Sequence, residues 1–325
     1  MMHKSAETIL VGDVGGTNVR LGLAHRAANG KICVEHIRKL PNDDYNNFAA
    51  AISDYQADLK TMPRRAAFAL AGAVDEGRVT LTNRNWTISE KNLQEKFGFT
   101  HISLYNDFAA MARSVPECAP DDFKMLNPGT SDFDAPILVA GPGTGFGMAV
   151  LLPLENNWHV LSGEGGHQAY APQSSKETEI LHILQKDHDF VSLELVSSGS
   201  GMDAIHKAVC MRLGQAYKKC SPKRIRELAL TGDAASLDVC TIRANAIMGA
   251  LGDMALAAGA RGGVVLAGGV AKRLQDFIDT PDAMARYFNR GPRRAYVENI
   301  PVRILQKPAA ALYGVAALNM DTNDG

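Results

Sequence analysis

The first apolar segment of the chain is ILVGDVGGTNVRLGL, which runs from Ile9 to Leu23. A short apolar run opens the segment, and after the glycines apolar residues alternate with polar or small ones as far as Leu23. Alternation with a period of two is typical of a half-buried strand. The segment therefore predicts a β-hairpin with Gly15 and Gly16 in its turn.

The spacing of these glycines argues against the two commonest nucleotide-binding motifs. A dinucleotide fingerprint is G-x-G-x-x-G between a strand and a helix, and a Walker loop is G-x-x-x-x-G-K-S/T. Neither spacing occurs here, and no helical pattern follows. The turn is still suited to a phosphate, because successive N–H groups at Gly15, Gly16 and Thr17 can converge on an anion.

Asp13 bears on which ligand such a turn would bind. A carboxylate beside an anion site is explained if Mg²⁺ accompanies the phosphate, since Mg²⁺ prefers oxygen ligands and bound water. The alternative is an ordinary hairpin in which the glycines provide positive φ angles and Asp13 favours the turn. This segment alone leaves both interpretations open.

Composition limits the class of protein. A chain of 325 residues favours two domains, and 46% hydrophobic with 21% charged residues is ordinary for a globular protein. The formal net charge of -1 gives no general attraction to nucleic acid or to a membrane surface. The five cysteines are scattered, which favours free thiols in a reducing compartment. With no long uninterrupted apolar segment, we expect a cytoplasmic protein.

Strand and helix patterns alternate in the first third of the chain, which predicts an α/β fold. One predicted strand, from His101 to Tyr105, is followed by Asn106 and Asp107 and then by an alanine-rich helical pattern beginning at Phe108. Open α/β sheets bind ligands at the carboxyl ends of their strands. Asp107 is therefore a candidate site residue, with helix capping as the alternative.

The opening pattern recurs 128 residues later. The segment from Ile137 to Val150 is again an apolar run, a glycine turn that contains Thr144, and a second apolar run. This recurrence predicts a duplicated domain, although hairpins with glycine turns are common. The polar segment from Pro116 to Pro136 is the predicted connection, and a third turn, Gly268-Gly269, follows a buried strand.

Together these features resemble the actin-like sugar kinase and ATPase superfamily. Within it, the chain is similar to the bacterial glucokinase family of the proteobacterial type, on motifs that run in order from about Leu10 to Gly314. The motifs are GDVGGTN at 12–18, LTNxxW at 81–86, NDF at 106–108, GxGTGxG at 141–147, GEGGH at 163–167 and LAGG at 266–269. A related repressor and sugar-kinase group typically has a zinc-binding cysteine cluster, and residues 168–185 contain no cysteine.

The resemblance implies two duplicated, ribonuclease H-like α/β domains with a cleft between them. We expect a small domain of residues 1–117 plus 307–325 and a large domain of residues 118–306. The implied reaction is ATP-dependent phosphorylation of D-glucose at its 6-hydroxyl, an early step of glycolysis, with Mg²⁺ as cofactor. The partners implied are ATP and glucose, neither nucleic acid nor membrane, and a second copy in a homodimer.

The resemblance also implies a role for each matching residue. Asp107 matches the general base, and Asp13 is expected near Mg²⁺ through water. The sugar-binding positions are Asn106, Asp107, Glu164, His167, Glu194 and Asn83. The nucleotide-binding positions are Gly12, Asp13, Val14, Gly15, Gly16, Thr17, Gly143, Thr144, Gly145, Gly268 and Gly269. Carboxylate, amide and imidazole groups suit sugar hydroxyls, because they accept or donate hydrogen bonds. Arg20 and Lys272 are expected to be solvent-facing.

Other functions stay open at this stage. A kinase for another hexose or an amino sugar would use the same hydroxyl ligands. A sugar-sensing regulator would need a basic DNA-reading module before the first hairpin, where only about eight residues stand. A chaperone-like or polymerising ATPase would lack a small-sugar pocket and would hydrolyse nucleotide without sugar.

Overall fold

The computed structural model describes residues 7–72, 74–81, 84–155 and 157–321. These residues form two compact units. The first contains residues up to Asp122, Leu154–Ser162 and residues from Lys307, and the second contains Phe123–Pro153 and Gly163–Gln306. The domain limits predicted from the sequence, at 117/118 and 306/307, are not tested by this division and stay predictions.

Strands and helices alternate as an α/β fold requires. The strands are β1 Ile9–Val14, β2 Asn18–Arg26, β3 Ile32–Pro41, β4 Arg65–Leu70, β5 Arg78–Thr80, β6 Thr87–Ser89, β7 His101–Asn106, β8 Phe123–Asn127, β9 Ile137–Pro142, β10 Phe146–Leu154, β11 Asn157–Gly163, β12 Gly263–Leu266 and β13 Val302–Leu305. The helices are α1 Phe48–Ala57, α2 Glu90–Phe97, α3 Asp107–Arg113, α4 Ser175–Leu184, α5 Leu193–Ser197, α6 Met202–Arg212, α7 Pro222–Leu230, α8 Ala234–Ala258, α9 Gly269–Arg273, α10 Gln275–Ile278, α11 Pro281–Phe288, α12 Arg294–Glu298 and α13 Ala310–Asp321.

The two larger sheets share one topology, which confirms the predicted duplication. One has the strand order β3-β2-β1-β4-β7, and the other has β11-β10-β9-β12-β13-β8. In each order, the second and third strands form the predicted antiparallel hairpin, β2 with β1 and β10 with β9. The fourth and fifth strands of each sheet then add in parallel.

Each unit has its own hydrophobic core. In the first unit, one face of the β1 sheet packs on α1 and α2 around Phe68, and the other face packs on α3 and α13. Gly314 permits the second arrangement, because a Cβ there would collide with the Ala110 carbonyl of α3. In the second unit, the apolar residues of α8 form the centre of the core, including Ile247 and Leu251.

Capping residues fix where several of these helices begin and end. Asp233 caps α8 by accepting a hydrogen bond from the Ser236 N–H, and Gly259 ends the helix in the left-handed conformation. Helix α1 begins at Phe48, because Asn47 is its N-cap and accepts from the Ala50 N–H. The predicted connection at 116–136 contains a strand, β8, which pairs with β13 at the edge of the second sheet.

Candidate functional site

The β1–β2 turn is held from behind by two polar side chains. The Gly15 N–H donates to the Asn18 carbonyl at 3.1 Å and closes the turn. Asn42 is fully buried, and its Nδ2 donates to the Gly15 carbonyl at 2.8 Å. Arg84 Nε donates to the Gly16 carbonyl at 3.1 Å, and the Asn42 N–H donates to the Thr17 carbonyl at 3.0 Å.

These contacts decide which way the turn's donors face. In a trans peptide unit the C=O and the following N–H point in opposite directions. Because the carbonyls of Gly15 and Gly16 accept bonds from the protein side, the N–H groups of Gly16 and Thr17 face the opposite side. The turn therefore presents donors of the kind that an anion site requires.

Asp13 and Arg20 form an ion pair across the first hairpin. Arg20 Nη1 donates to Asp13 Oδ2 at 2.8 Å, and the Asp13 side chain is 16% exposed. Burial raises the pKa of the Asp13 carboxyl above its ordinary value of 3.8, since desolvation outweighs the attraction of the guanidinium. Arg20 is thus paired with a carboxylate while 38% of its side chain stays exposed to solvent.

The β9–β10 turn repeats this arrangement with backbone donors. The Gly143 N–H donates to the Gly145 carbonyl at 2.8 Å. The carbonyls of Gly143 and Thr144 accept from the N–H groups of Gly199 and Ser200, at 3.0 and 2.9 Å. By the same peptide geometry, the N–H groups of Thr144 and Gly145 face away from that loop.

Two glycines allow the second turn to approach the end of β12. Gly141 has φ 155°, and a Cβ there would collide with the Ala267 carbonyl. Gly268 has φ 98°, and a Cβ there would lie 2.5 Å from the Pro142 carbonyl. The predicted third turn, Gly268-Gly269, therefore lies directly beside the second one in the same unit.

Four other glycines are not required by the fold. They have neither a positive φ nor any atom nearer than 3.5 Å to an added Cβ, unlike the other glycines whose surroundings the structure describes. These glycines are Gly15, Gly143, Gly163 and Gly269. All four belong to predicted motifs, whereas Gly12 is needed because a Cβ there would lie 2.7 Å from the Phe68 ring.

Asn106 and Asp107 lie where β7 passes into α3. Asn106, and not Asp107, is the N-cap, because its Oδ1 accepts from the N–H groups of Phe108 and Ala109 at 2.9 and 3.2 Å. Its Nδ2 donates to the Gly72 carbonyl at 3.3 Å. Asp107 is half-buried at the first helical position, and its Oδ1 accepts from the Phe108 N–H at 2.9 Å.

Glu164 precedes a short 3₁₀ turn and His167 is its last residue, and both side chains are exposed. Gly165 and Gly166 between them are buried, and a Cβ on Gly166 would collide with the Phe146 carbonyl at the start of β10. Gln168 follows this turn, and its carbonyl accepts a hydrogen bond from the Leu193 N–H at the start of α5 at 2.8 Å. These contacts attach the Glu164–His167 turn to β10 and to the start of α5.

Glu194 lies in the first turn of α5 and is half-buried. Its Oε2 accepts from the Phe146 N–H at 2.7 Å. A Cβ on Gly145 would lie 2.5 Å from that same oxygen, so this glycine lets the carboxylate reach the strand. The resemblance implied Glu194 as a sugar ligand, and the structure places it beside the second glycine turn.

The remaining predicted positions are less informative. Asn83 lies outside the described residues. Val14 is fully buried on β1, so only its backbone could meet a ligand. Lys272 donates from Nζ to the Gln306 carbonyl at 3.0 Å. Sequence reasoning missed Asn42 and Arg84, which support the first turn. The signal for Asn42 was a run of polar residues, Asn42-Asp43-Asp44, directly after an apolar residue and a proline.

The glycine turns and the capped Asn-Asp pair are the features by which the chain resembles sugar kinases. Residues 10–322 match the glucokinase family. The chain belongs to the glucokinase family. A glucokinase from Caulobacter sp. strain K31 is 36% identical over 312 residues, which are 94% of this chain and 93% of that protein.

Solved glucokinase structures agree with this assignment. The crystal structure of a glucokinase from an Antarctic psychrotroph has a TM-score of 0.86 and 32% identity, covering 98% of this chain and 100% of the other. A ROK family glucokinase from Streptomyces griseus, in complex with glucose and AMPPNP, has a TM-score of 0.63 at 19% identity, covering 96% and 98%. The latter shows the shared fold, and the predicted actin-like α/β class is confirmed.

Two further observations concern the whole glucokinase-family chain. None of its described helices combines the length and the apolar character that crossing a membrane demands. Its five cysteines are all free thiols. Burial raises the pKa of the Cys118 and Cys240 thiols to about 11, so both are protonated at neutral pH.

Proposed function

We propose that this chain transfers the γ-phosphoryl group of ATP to the 6-hydroxyl of glucose, with Asp107 as the general base. As a member of the glucokinase family, the chain is an enzyme that phosphorylates glucose with ATP. The hydroxyl that reacts and the residues that carry out the reaction are the proposed part. They are argued below from each unit separately.

The observation that carries the proposal is the set of four glycines without a structural requirement. A glycine is entropically costly, and alanine would normally be tolerated where φ is not positive and space is open. At Gly15, Gly143, Gly163 and Gly269 the requirement must then come from outside the fold. Close approach of a ligand to bare backbone is such a requirement, and phosphates are bound in this way.

We assign the phosphates of ATP to the N–H groups of both glycine turns. The N–H groups of Gly16 and Thr17, and of Thr144 and Gly145, face away from the protein groups that bind the carbonyls of the preceding residues. Gly268 and Gly269 are assigned to the adenosine. Gly12 and Val14 act through the backbone of β1, which places the first turn.

We assign the sugar to the two groups of polar residues. Asp107 accepts the proton of the attacking hydroxyl, a contribution of roughly 10²–10⁴-fold for a well-placed base. Positioning is the larger part of phosphoryl transfer, and the cap at Asn106 fixes where Asp107 stands. Glu164, His167 and Glu194 accept or donate hydrogen bonds to the other hydroxyls. Asn83 stays a prediction.

Asp13 fits an indirect Mg²⁺ ligand. Mg²⁺ bound to a nucleotide uses one or two carboxylates and keeps several waters, so a single aspartate beside the turn is enough. The cation would neutralise charge on the phosphate oxygens. A cation near Asp13 would also favour its ionised form, which burial disfavours. We also propose a cytoplasmic location, which fits ATP as substrate and five free thiols. A homodimer is proposed as well.

A sugar panel tests the proposed reaction. Purified enzyme is given MgATP with glucose, 6-deoxyglucose, mannose, fructose, glucosamine or no sugar, and ADP release is followed. We expect turnover with glucose and none with 6-deoxyglucose, which lacks the accepting hydroxyl. Higher kcat/KM on another hexose or an amino sugar would move the assignment to that substrate. Equal ADP release without sugar would indicate an ATPase.

A further inference from the structure

Arg243 is a buried cation in the second unit that none of the proposed roles uses. It lies in the middle of α8 and is 2% exposed. In the described part of the chain, no salt bridge involves Arg243. Its Nη2 instead donates to the carbonyls of Ser197 and Ser198, both at 2.9 Å.

A buried charge without a carboxylate partner is expensive for a fold. Burial lowers the pKa of Arg243 to about 10, so the group stays charged at neutral pH. A methionine or leucine of similar volume would fill the same space without this cost. The position of the charge therefore calls for an explanation other than packing.

The two carbonyls that Arg243 binds lead directly to the second glycine turn. The Ser198 carbonyl belongs to the same peptide unit as the Gly199 N–H, which donates to the Gly143 carbonyl at 3.0 Å. The Gly143 carbonyl in turn belongs to the same peptide unit as the Thr144 N–H. The guanidinium is thus joined to the Thr144 N–H through two hydrogen bonds and two peptide units, Ser198–Gly199 and Gly143–Thr144.

Hydrogen bonds in such a chain polarise one another. A positive donor on the Ser198 carbonyl makes the Gly199 N–H a better donor, which does the same for the Thr144 N–H, by roughly 10–30% per bond. The second hydrogen bond of the same Nη2, to the Ser197 carbonyl, acts at the end of α5, where carbonyls carry the negative end of the helix dipole. The Ser197 carbonyl belongs to the same peptide unit as the Ser198 N–H, which donates to the Glu194 carbonyl at 2.9 Å, so this bond steadies the helix that carries Glu194.

We infer that Arg243 is a positioning residue that strengthens the Thr144 N–H as a phosphate donor and holds α5 against the second glycine turn. The inference rests on the proposed role of Thr144 in binding phosphate. It requires that loss of the charge weakens the binding of nucleotides with phosphates more than the binding of adenosine, which has no phosphate.

Inhibition constants of ADP and adenosine against ATP test this inference. In Arg243→Met, the ratio of the adenosine constant to the ADP constant should fall by roughly 1.3- to 4.6-fold, the effect of weakening one charged hydrogen bond by 10–30%. Arg243→Lys keeps the charge and should retain most of the ratio. Arg286→Met is the control for loss of a buried arginine: Arg286 belongs to the same unit, donates to the Ala171 carbonyl at 2.8 Å and pairs with Glu177 at 3.4 Å, and neither contact involves a glycine turn. Its ratio should not change.

Three outcomes separate the possible failures. An unchanged ratio in a folded Arg243→Met enzyme overturns the inference, and so does an equal fall in Arg286→Met. If Arg243→Met does not fold, Arg243→Gln replaces it with the same expected direction. Gly143→Ala is measured alongside. If Gly143→Ala leaves ADP binding unchanged, the proposed phosphate contact is wrong. If Gly143→Ala weakens ADP binding and Arg243→Met does not, only the role of Arg243 is overturned.

Discussion

Replacement of Gly143 by alanine should separate stability from nucleotide binding. Gly143 lies in the β9–β10 turn, its φ is outside the left-handed range, and an added Cβ meets no atom within 4 Å. Such a substitution stabilises a protein by about 0.4–1 kcal/mol, since it restricts the unfolded chain. The fold alone therefore gives no reason for loss of function in Gly143→Ala.

We expect Gly143→Ala to weaken the binding of ATP. A methyl group on the turn would hold a phosphate away from the Thr144 N–H, and a hydrogen bond to a charged group is worth about 1.5–3 kcal/mol. That loss corresponds to a rise of roughly 10- to 150-fold in the KM for ATP. The KM for glucose should stay within about threefold, because the predicted sugar ligands lie on other segments.

Thermal unfolding and steady-state kinetics with ATP and glucose varied in turn are the assays. Gly214→Ala is the matched control, since Gly214 also meets no neighbour but has φ 66°. It should lose about 1 kcal/mol of stability, from left-handed strain, and keep its KM for ATP. A Gly143→Ala enzyme with the wild-type KM for ATP would refute the ligand-approach argument, and so would a large loss of stability.

Three further substitutions test the surrounding structure. Asn42→Ala removes a buried hydrogen bond to the Gly15 carbonyl and should lower the free energy of unfolding by about 1–3 kcal/mol and raise the KM for ATP; a urea titration that shows no loss contradicts the supporting role. Burial raises the folded-state pKa of Asp13 above its ordinary value of 3.8. The stability that the protonated carboxyl contributes is therefore full below that value and is lost as pH rises through the raised pKa. The melting temperature of wild type relative to Asp13→Asn should fall over that window, and a constant difference contradicts the shift. Glu194→Gln can still accept from the Phe146 N–H, so it should fold normally and raise the KM for glucose roughly tenfold, measured against an unchanged KM for ATP; a shift in ATP instead would reassign Glu194 to the nucleotide.

The hairpins and the duplication were predictable because short-range patterns determine them. Alternating apolar residues and glycine turns specified β1–β2 and β9–β10, and the repeat predicted the common topology of the two sheets. The strand β8 was missed because it is short, is only partly buried at the edge of a sheet, and lies within a segment rich in Pro and Asp. Its pairing with β13 joins segments far apart in the sequence.

The supporting contacts of the candidate site were not predictable in the same way. Nothing in the local pattern around Asn42 or Arg84 indicates that their side chains bind the carbonyls of a turn far away in the sequence. Arg243 has an apolar helical pattern on both sides, and only the structure shows which carbonyls it binds. Residue types predicted the candidates, whereas long-range hydrogen bonds determine how they are held.

The turnover of Asp107→Asn tests the central claim most directly. Release of ADP that depends on glucose is measured for wild type, Asp107→Asn and the control Asp282→Asn, whose aspartate also lies in the first turn of a helix. Loss of the general base predicts a fall of roughly 10²–10⁴-fold in kcat for Asp107→Asn, with the wild-type melting temperature and retained glucose binding. Asp282→Asn should keep the wild-type kcat. A kcat for Asp107→Asn within about tenfold of wild type would contradict the account.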